Sequence, residues 1–186
     1  MNVVTRFSVA IAVFLTCLFG VEFSNLPQAD AGISLPSNGV YSLQPRCAPG
    51  FELAVQNASK SAGANVILWS INSNRPESTN QRWRITRLGD TNYYKITAEN
   101  SGLSLDGEGN IGSYGANLCV WPYSYDGDQQ FLFIYNDNGY YTIQANLRGA
   151  YVLDVANGDA YSGANVLIYP SHGGSNQQWK LVRLGS

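Results

Sequence analysis

The chain is 186 residues long and carries 11 Lys and Arg against 13 Asp and Glu, a net charge of −2 at pH 7. No basic face follows from such a balance, which argues against nucleic acid as a partner, and no basic amphipathic stretch marks a membrane surface. Gly, Asn, Ser and Tyr are abundant while Met, Lys and Glu are scarce, a composition poor in the residues that build long helices.

The N-terminus comes first. Met1 to Arg6 carries one positive charge, Phe7 to Val21 is almost wholly apolar, and Ala29-Asp30-Ala31 offers a small-x-small cleavage pattern. That layout predicts a secretory signal over residues 1–31, because the apolar run is shorter than the roughly 20 residues a bilayer crossing needs. A retained anchor is the alternative, and a lipoprotein site at Cys17 is poorly matched by Phe14-Leu15-Thr16. Cleavage leaves 155 residues, 10 basic and 11 acidic, with net charge −1, enough for one domain with a sizeable core. Residues 32–37 read as a short lead into it.

The rest of the chain is predicted to be all-β. Short runs rich in Val, Ile, Tyr and Trp, separated by Gly, Asn and Ser, read as strands. A Tyr-rich strand recurs at Val40–Leu43, Tyr93–Ile96 and Tyr140–Ile143. A second follows at Leu53–Val55, Leu103–Asp106 and Tyr151–Asp154. Gly-Ala-Asn then occurs at Gly63-Ala64-Asn65, Gly115-Ala116-Asn117 and Gly163-Ala164-Asn165, each leading into an apolar strand that closes on Trp69, Trp121 or Tyr169. Each copy ends on Gln-x-aromatic: Gln81-Arg82-Trp83, Gln129-Gln130-Phe131 and Gln177-Gln178-Trp179, whose aromatics are 48 residues apart both times. Such self-similarity is the mark of a repeat architecture. The copies fall at 38–89, 90–137 and 138–186, with four strands each. One copy buries too little to fold alone, and three can close on themselves and remove the sheet edges.

These motifs together resemble the ricin B-type lectin family, and the likeness covers 38–186. The resemblance implies a β-trefoil of three four-stranded repeats with pseudo-threefold symmetry, and it implies binding of glycans on cell surfaces or in polysaccharides. In the family pattern an aspartate grips two sugar hydroxyls, an aromatic stacks on the ring, and an Asn-Gln pair buttresses or contacts the sugar. The chemistry is apt: a pyranose offers a flat C–H face to an aromatic and hydroxyls to a charged acceptor.

Carried over by position, the third repeat has the full set in Asp154, Tyr169, Asn176 and Gln177, with Leu167 where the family often has Gln. The second has Asp106, Trp121, Asp128 and Gln129, where Asp128 replaces Asn, Phe131 replaces Trp and Cys119 stands at the Gln place, so altered preference is expected. In the first, Trp69, Asn80 and Gln81 remain but Ala54 takes the aspartate place, so that site is expected to be lost or weakened. Galactose-, GalNAc- and xylan-type ligands all suit Asp plus aromatic. Asp106 and Asp154 also suit turn caps, and the Gln residues suit a role in the fold as much as one toward a ligand. Trp83, Phe131 and Trp179 are expected in the core; Trp69, Trp121 and Tyr169 are the aromatics expected outside. Of each Tyr pair, such as Tyr140-Tyr141, one ring is expected in and one out.

Other functional classes find less support. The single histidine, His172, lies in a variable loop with no nucleophile cue beside it. Asp106 and Asp154 belong to different copies, too far apart for a glycosidase pair. No metal-ligand spacing occurs, so no catalytic residue, metal or cofactor is expected. A hydrolase inhibitor or protein-binding module would use the loop Asn72–Asn80, and a targeting subunit of a toxin or enzyme complex would keep the sugar sites. Cys47 and Cys119 sit in different repeats, and export permits their pairing without requiring it. Asn57-Ala58-Ser59 fits a glycosylation acceptor as well as an ordinary turn. Secretion to the extracellular space is the expected localisation.

Overall fold

A computed structural model describes residues 35–71, 78–108, 115–137 and 139–186. All of the described residues fall in one compact unit. The expected signal peptide (1–31), positions 32–34 of the short lead and positions 72–77 of the Asn72–Asn80 loop lie outside the described residues.

Twelve strands occur among the described residues: β1 (Gly39–Pro45), β2 (Phe51–Val55), β3 (Ala64–Ser70), β4 (Trp83–Arg87), β5 (Tyr93–Ala98), β6 (Ser104–Gly107), β7 (Ala116–Trp121), β8 (Phe131–Tyr135), β9 (Tyr140–Ala145), β10 (Tyr151–Val155), β11 (Val166–Pro170) and β12 (Trp179–Gly185). The predicted strand runs fall on them, with the second strand of repeat two starting at Ser104 rather than Leu103. No described helix is long and apolar enough to cross a membrane.

The pairing explains the closure. Antiparallel pairs run β1–β4, β4–β5, β5–β8, β8–β9, β9–β12 and back from β12 to β1. This six-stranded ring is built from the first and last strands of each repeat and has no free edge. The remaining strands form three hairpins, β2–β3, β6–β7 and β10–β11. They meet one another through β3–β7, β7–β11 and a bridge between Ile67 and Asn165. A six-stranded barrel capped by three hairpins is the β-trefoil.

Strand alternation sends apolar residues inward at equivalent places in each copy. Leu53, Leu105 and Leu153 are fully buried, as are Val66, Leu118 and Val166, and Leu68, Val120 and Ile168. Each such side chain contributes roughly 1.5–3 kcal/mol by leaving water. Trp83, Phe131 and Trp179 also lie wholly inside. The Tyr pairs divide unevenly: Tyr94 is buried beside a half-buried Tyr93, but Tyr140 and Tyr141 are both half-buried. Tyr141 stays partly open because it packs edge-on against Phe133 and Tyr135 beside the core rather than within it.

The Gly-Ala-Asn motif has a structural reason that its repetition alone did not reveal. Gly63, Gly115 and Gly163 have φ of 79°, 80° and 99°, a left-handed conformation that a side chain disfavours. Two residues later the asparagines close a ring: Asn117 Nδ2 donates to Asn65 Oδ1 (2.9 Å), Asn165 Nδ2 to Asn117 Oδ1 (3.0 Å) and Asn65 Nδ2 to Asn165 Oδ1 (3.2 Å). One amide from each repeat ties the three hairpins together. Cys47 and Cys119 are free thiols.

Candidate functional site

Each hairpin brings its aspartate place and its closing aromatic to one face. In β10–β11, Asp154 stands opposite Leu167 and Tyr169 follows two residues on, so Asp154, Leu167 and Tyr169 share a side of the sheet. They line a cleft of about 280 Å³ with Asn176 and His172, bounded by Ala156 and Asn157. That volume is near the lower limit for small-molecule pockets. Tyr169 is 37% exposed at its rim, whereas Asp154 is only 3% exposed at its base. The carboxylate therefore lies at the floor of the cleft, with the ring at its mouth.

The carboxylate is held from several sides. Asn176 Nδ2 donates to Oδ1 (2.9 Å) and Gln177 Nε2 to Oδ2 (2.7 Å). Gln177 is itself fixed: its Nε2 also reaches the Pro170 carbonyl (3.0 Å), and its Oε1 accepts from the His172 and Gly173 amides (2.7 and 3.1 Å). Trp179 Nε1 donates to the Leu153 carbonyl (3.1 Å), anchoring the strand one residue before the acid. The Gln-x-Trp motif thus serves the fold and the site at once. His172 Nε2 lies 3.3 Å from Asp154 Oδ2, a contact the sequence did not signal.

Repeat two repeats the plan with a fault. Gln129 Nε2 donates to Asp106 Oδ2 (2.5 Å) and to the Pro122 carbonyl (3.0 Å), and Gln129 Oε1 accepts from the Ser124 amide (2.7 Å). Trp121 is 49% exposed. Asp128, standing where Asn176 donates in repeat three, has no N–H to offer, and its Oδ1 is buried without a partner. Burial, with Asp128, Asp126 and Glu108 nearby, raises the Asp106 pKa to about 6 against the opposing Gln129 hydrogen bond. Burial first, then Asp126, raises Asp128 as well. Cys119, opposite Asp106 in register, is pushed up to about 12 by burial, reinforced by Asp106, Glu108 and Asp128, so it stays a thiol.

In repeat one, Ala54 is buried in the aspartate place. Asn80 Nδ2 turns to the Val55 carbonyl (3.0 Å) and Gln81 Nε2 to the Ser70 carbonyl (2.9 Å), so both amides do structural work. Trp69 remains 47% exposed with no carboxylate at the aspartate place. The three predicted outer aromatics are exposed, but Tyr125, Tyr135 and Tyr161 join them. Tyr125 has a φ of 71° and packs tilted on Tyr123, while the Tyr161 hydroxyl reaches back to Asp159 (3.4 Å). Both sit in loops whose length, not strand alternation, sets their direction. No group of three or more metal-ligating side chains occurs among the described residues.

The fold and the repeated acid–aromatic hairpin define a β-trefoil of the lectin class. The family described as ricin-type β-trefoil lectin domain-like matches residues 33–121 and 127–186, and the chain belongs to it. Among solved structures, a designed threefold symmetric protein, ThreeFoil, is 43% identical, with a TM-score of 0.72 over 78% of this chain and 99% of that one. An exo-β-1,3-galactanase from Clostridium thermocellum is 27% identical with a TM-score of 0.72, over 81% of this chain but only 31% of the enzyme. The C-half of an earthworm R-type lectin, solved with GalNAc, shares the fold at 18% identity and a TM-score of 0.61, over 78% of this chain and 99% of that one. No curated protein sequence matches the chain.

Proposed function

We propose that the chain is a secreted, non-catalytic carbohydrate-binding protein acting through the clefts of repeats two and three. The observation that carries this reading is the cleft shared by Asp154 and Tyr169, with the carboxylate oriented by Asn176 and Gln177. A buried acceptor aimed into an opening beside an exposed ring suits a sugar, whose hydroxyls and C–H face need both at once. The likeness to a module-sized part of a galactanase, and the GalNAc complex of the earthworm lectin, favour galactose-type ligands.

A non-catalytic role fits the separation of the two aspartates into different hairpins, each with its own aromatic. The galactanase match, confined to about a third of that enzyme, also suits a module or subunit that directs a catalytic partner to glycans. Both readings keep the same sugar sites. A glycan array on residues 32–186 tests them: galactose-terminated glycans should be retained by the parent and lost from the Asp106→Ala/Asp154→Ala double variant. Equal retention by both proteins would reject the assignment.

A further inference from the structure

Among the described residues, four that are not glycine hold a left-handed backbone: Asn57, Ala58, Tyr125 and Asn157. Asparagine tolerates that region and alanine is small, whereas a tyrosine there is a bulky side chain in a strained conformation. Strain of this kind gathers at ligand clamps and switch segments.

The loop around Tyr125 has a twin. In repeat two the Ser124 amide donates to Gln129 Oε1 (2.7 Å) and Gln130 Nε2 donates to the Tyr125 carbonyl (2.7 Å). In repeat three the His172 amide donates to Gln177 Oε1 (2.7 Å) and Gln178 Nε2 donates to the Gly173 carbonyl (2.9 Å). The φ angles agree as well, 71° at Tyr125 and 73° at Gly173. Repeat three thus fills the left-handed place with glycine, which adopts it freely. Repeat two builds the same turn and hangs a ring on it.

That ring is held in place. It packs on Tyr123 with centroids 4.6 Å apart, tilted by 52°, and the Lys95 ammonium lies 4.9 Å over the Tyr123 ring. Tyr123 is half-buried and serves as a pedestal, while Tyr125 is 76% exposed, more open than Trp121, Trp69 or Tyr169. The loop starts at Pro122, directly after the exposed Trp121, and the Gln129 that accepts its Ser124 amide also donates to Asp106. One loop therefore has the stacking ring at its root and a second ring near its tip, both tied through Gln129 to the same acid.

We infer that Tyr125 forms a second saccharide subsite beside the repeat-two cleft, so that this cleft takes two linked pyranose units where repeat three takes one. The inference rests on the carbohydrate reading of that cleft. The unit gripped by Asp106 lies on Trp121, and the next unit lays its C–H face on the open side of the Tyr125 ring. Such a contact asks little of the hydroxyl pattern of the second unit, but it requires that a second unit be there.

The test uses the Asp154→Ala chain, in which only repeat two retains its acid, titrated calorimetrically with methyl β-galactopyranoside and with β-1,3-, β-1,4- and β-1,6-linked galactobiose. At least one galactobiose should bind about 2- to 12-fold more tightly than the monosaccharide, the weight of one aromatic contact. Tyr125→Gly places the repeat-three residue in a turn that glycine already fits, and it should abolish that gain. Tyr125→Phe keeps the ring and should keep the gain. If no galactobiose outbinds the monosaccharide, or if Tyr125→Gly leaves the gain intact, the subsite is overturned while monosaccharide binding still upholds the cleft. If the Asp154→Ala chain binds no sugar at all, the carbohydrate reading of repeat two falls and the subsite with it.

Discussion

Gln177 donates to the Asp154 carboxylate at 2.7 Å and at the same time accepts the His172 amide at 2.7 Å. One buried amide side chain therefore sets both the acid and the loop that overhangs it. Replacing Gln177 by Leu strips a donor from a buried carboxylate and an acceptor from two backbone amides. An unsatisfied buried group costs about 1–3 kcal/mol, so chemical denaturation should show a loss in that range or above, with weaker saccharide binding at the site.

Asp154→Ala and Asp106→Ala should each weaken glycan binding while the fold persists. Loss of one charged hydrogen-bonding partner is worth about 1.5–3 kcal/mol, or roughly 12- to 150-fold in affinity. Surface-immobilised galactosides and circular dichroism on the same preparations separate lost binding from lost structure.

Repeat two should make stability depend on pH. Burial and neighbouring carboxylates raise Asp106 to about 6, above the value near 4 it has in the unfolded chain. The folded protein therefore holds the extra proton between those values, and stability falls as pH rises through that window. Asp128, also raised, acts in the same direction. Asp128→Asn restores the donor found at Asn176, relieves the repulsion and should flatten the fall. Thermal melts of parent and variant from pH 4 to pH 8 measure it, and parallel curves would count against the pairing.

The asparagine ring should be cooperative. Asn117→Ala removes one donor and one acceptor from partners in both other repeats, for about 1–2 kcal/mol. Adding Asn65→Ala should cost less than the first change, because residues in one network couple. Urea midpoints of the two single variants and the double variant give the coupling directly.

Export predicts a mature chain beginning at Gly32. N-terminal sequencing of protein recovered outside the producing cell checks this, and an intact Met1 would argue for retention.

Much of the architecture was legible because the physics repeats. Gln81, Gln129 and Gln177, each two residues before a buried ring, mark the start of the closing strands, and their recurrence with the period of the repeat pointed Trp83, Phe131 and Trp179 to the core. What the pattern could not give lies between copies or within variable loops. The asparagine ring joins residues 48 to 100 positions apart; the sequence showed that they recur but not that they meet. The place of His172 holds Ser124 in repeat two, so the approach of the imidazole to Asp154 depended on the path of Pro170–Gly174. The Asp128 substitution was visible, but the orphaned oxygen it creates needed the geometry of Asn176 for comparison.

The antiparallel pairing of β7 with β11, Asn117 opposite Leu167, makes a rigid ruler of the two acid-bearing hairpins. The pairing fixes the spacing of the two clefts, so on the proposed reading a branched glycan would have to match it. A two-armed ligand whose reach matches the gap gains the full benefit of holding on twice, and one that misses it gains none. On the proposed carbohydrate reading, branch spacing on the target would then weigh more than the identity of any single sugar.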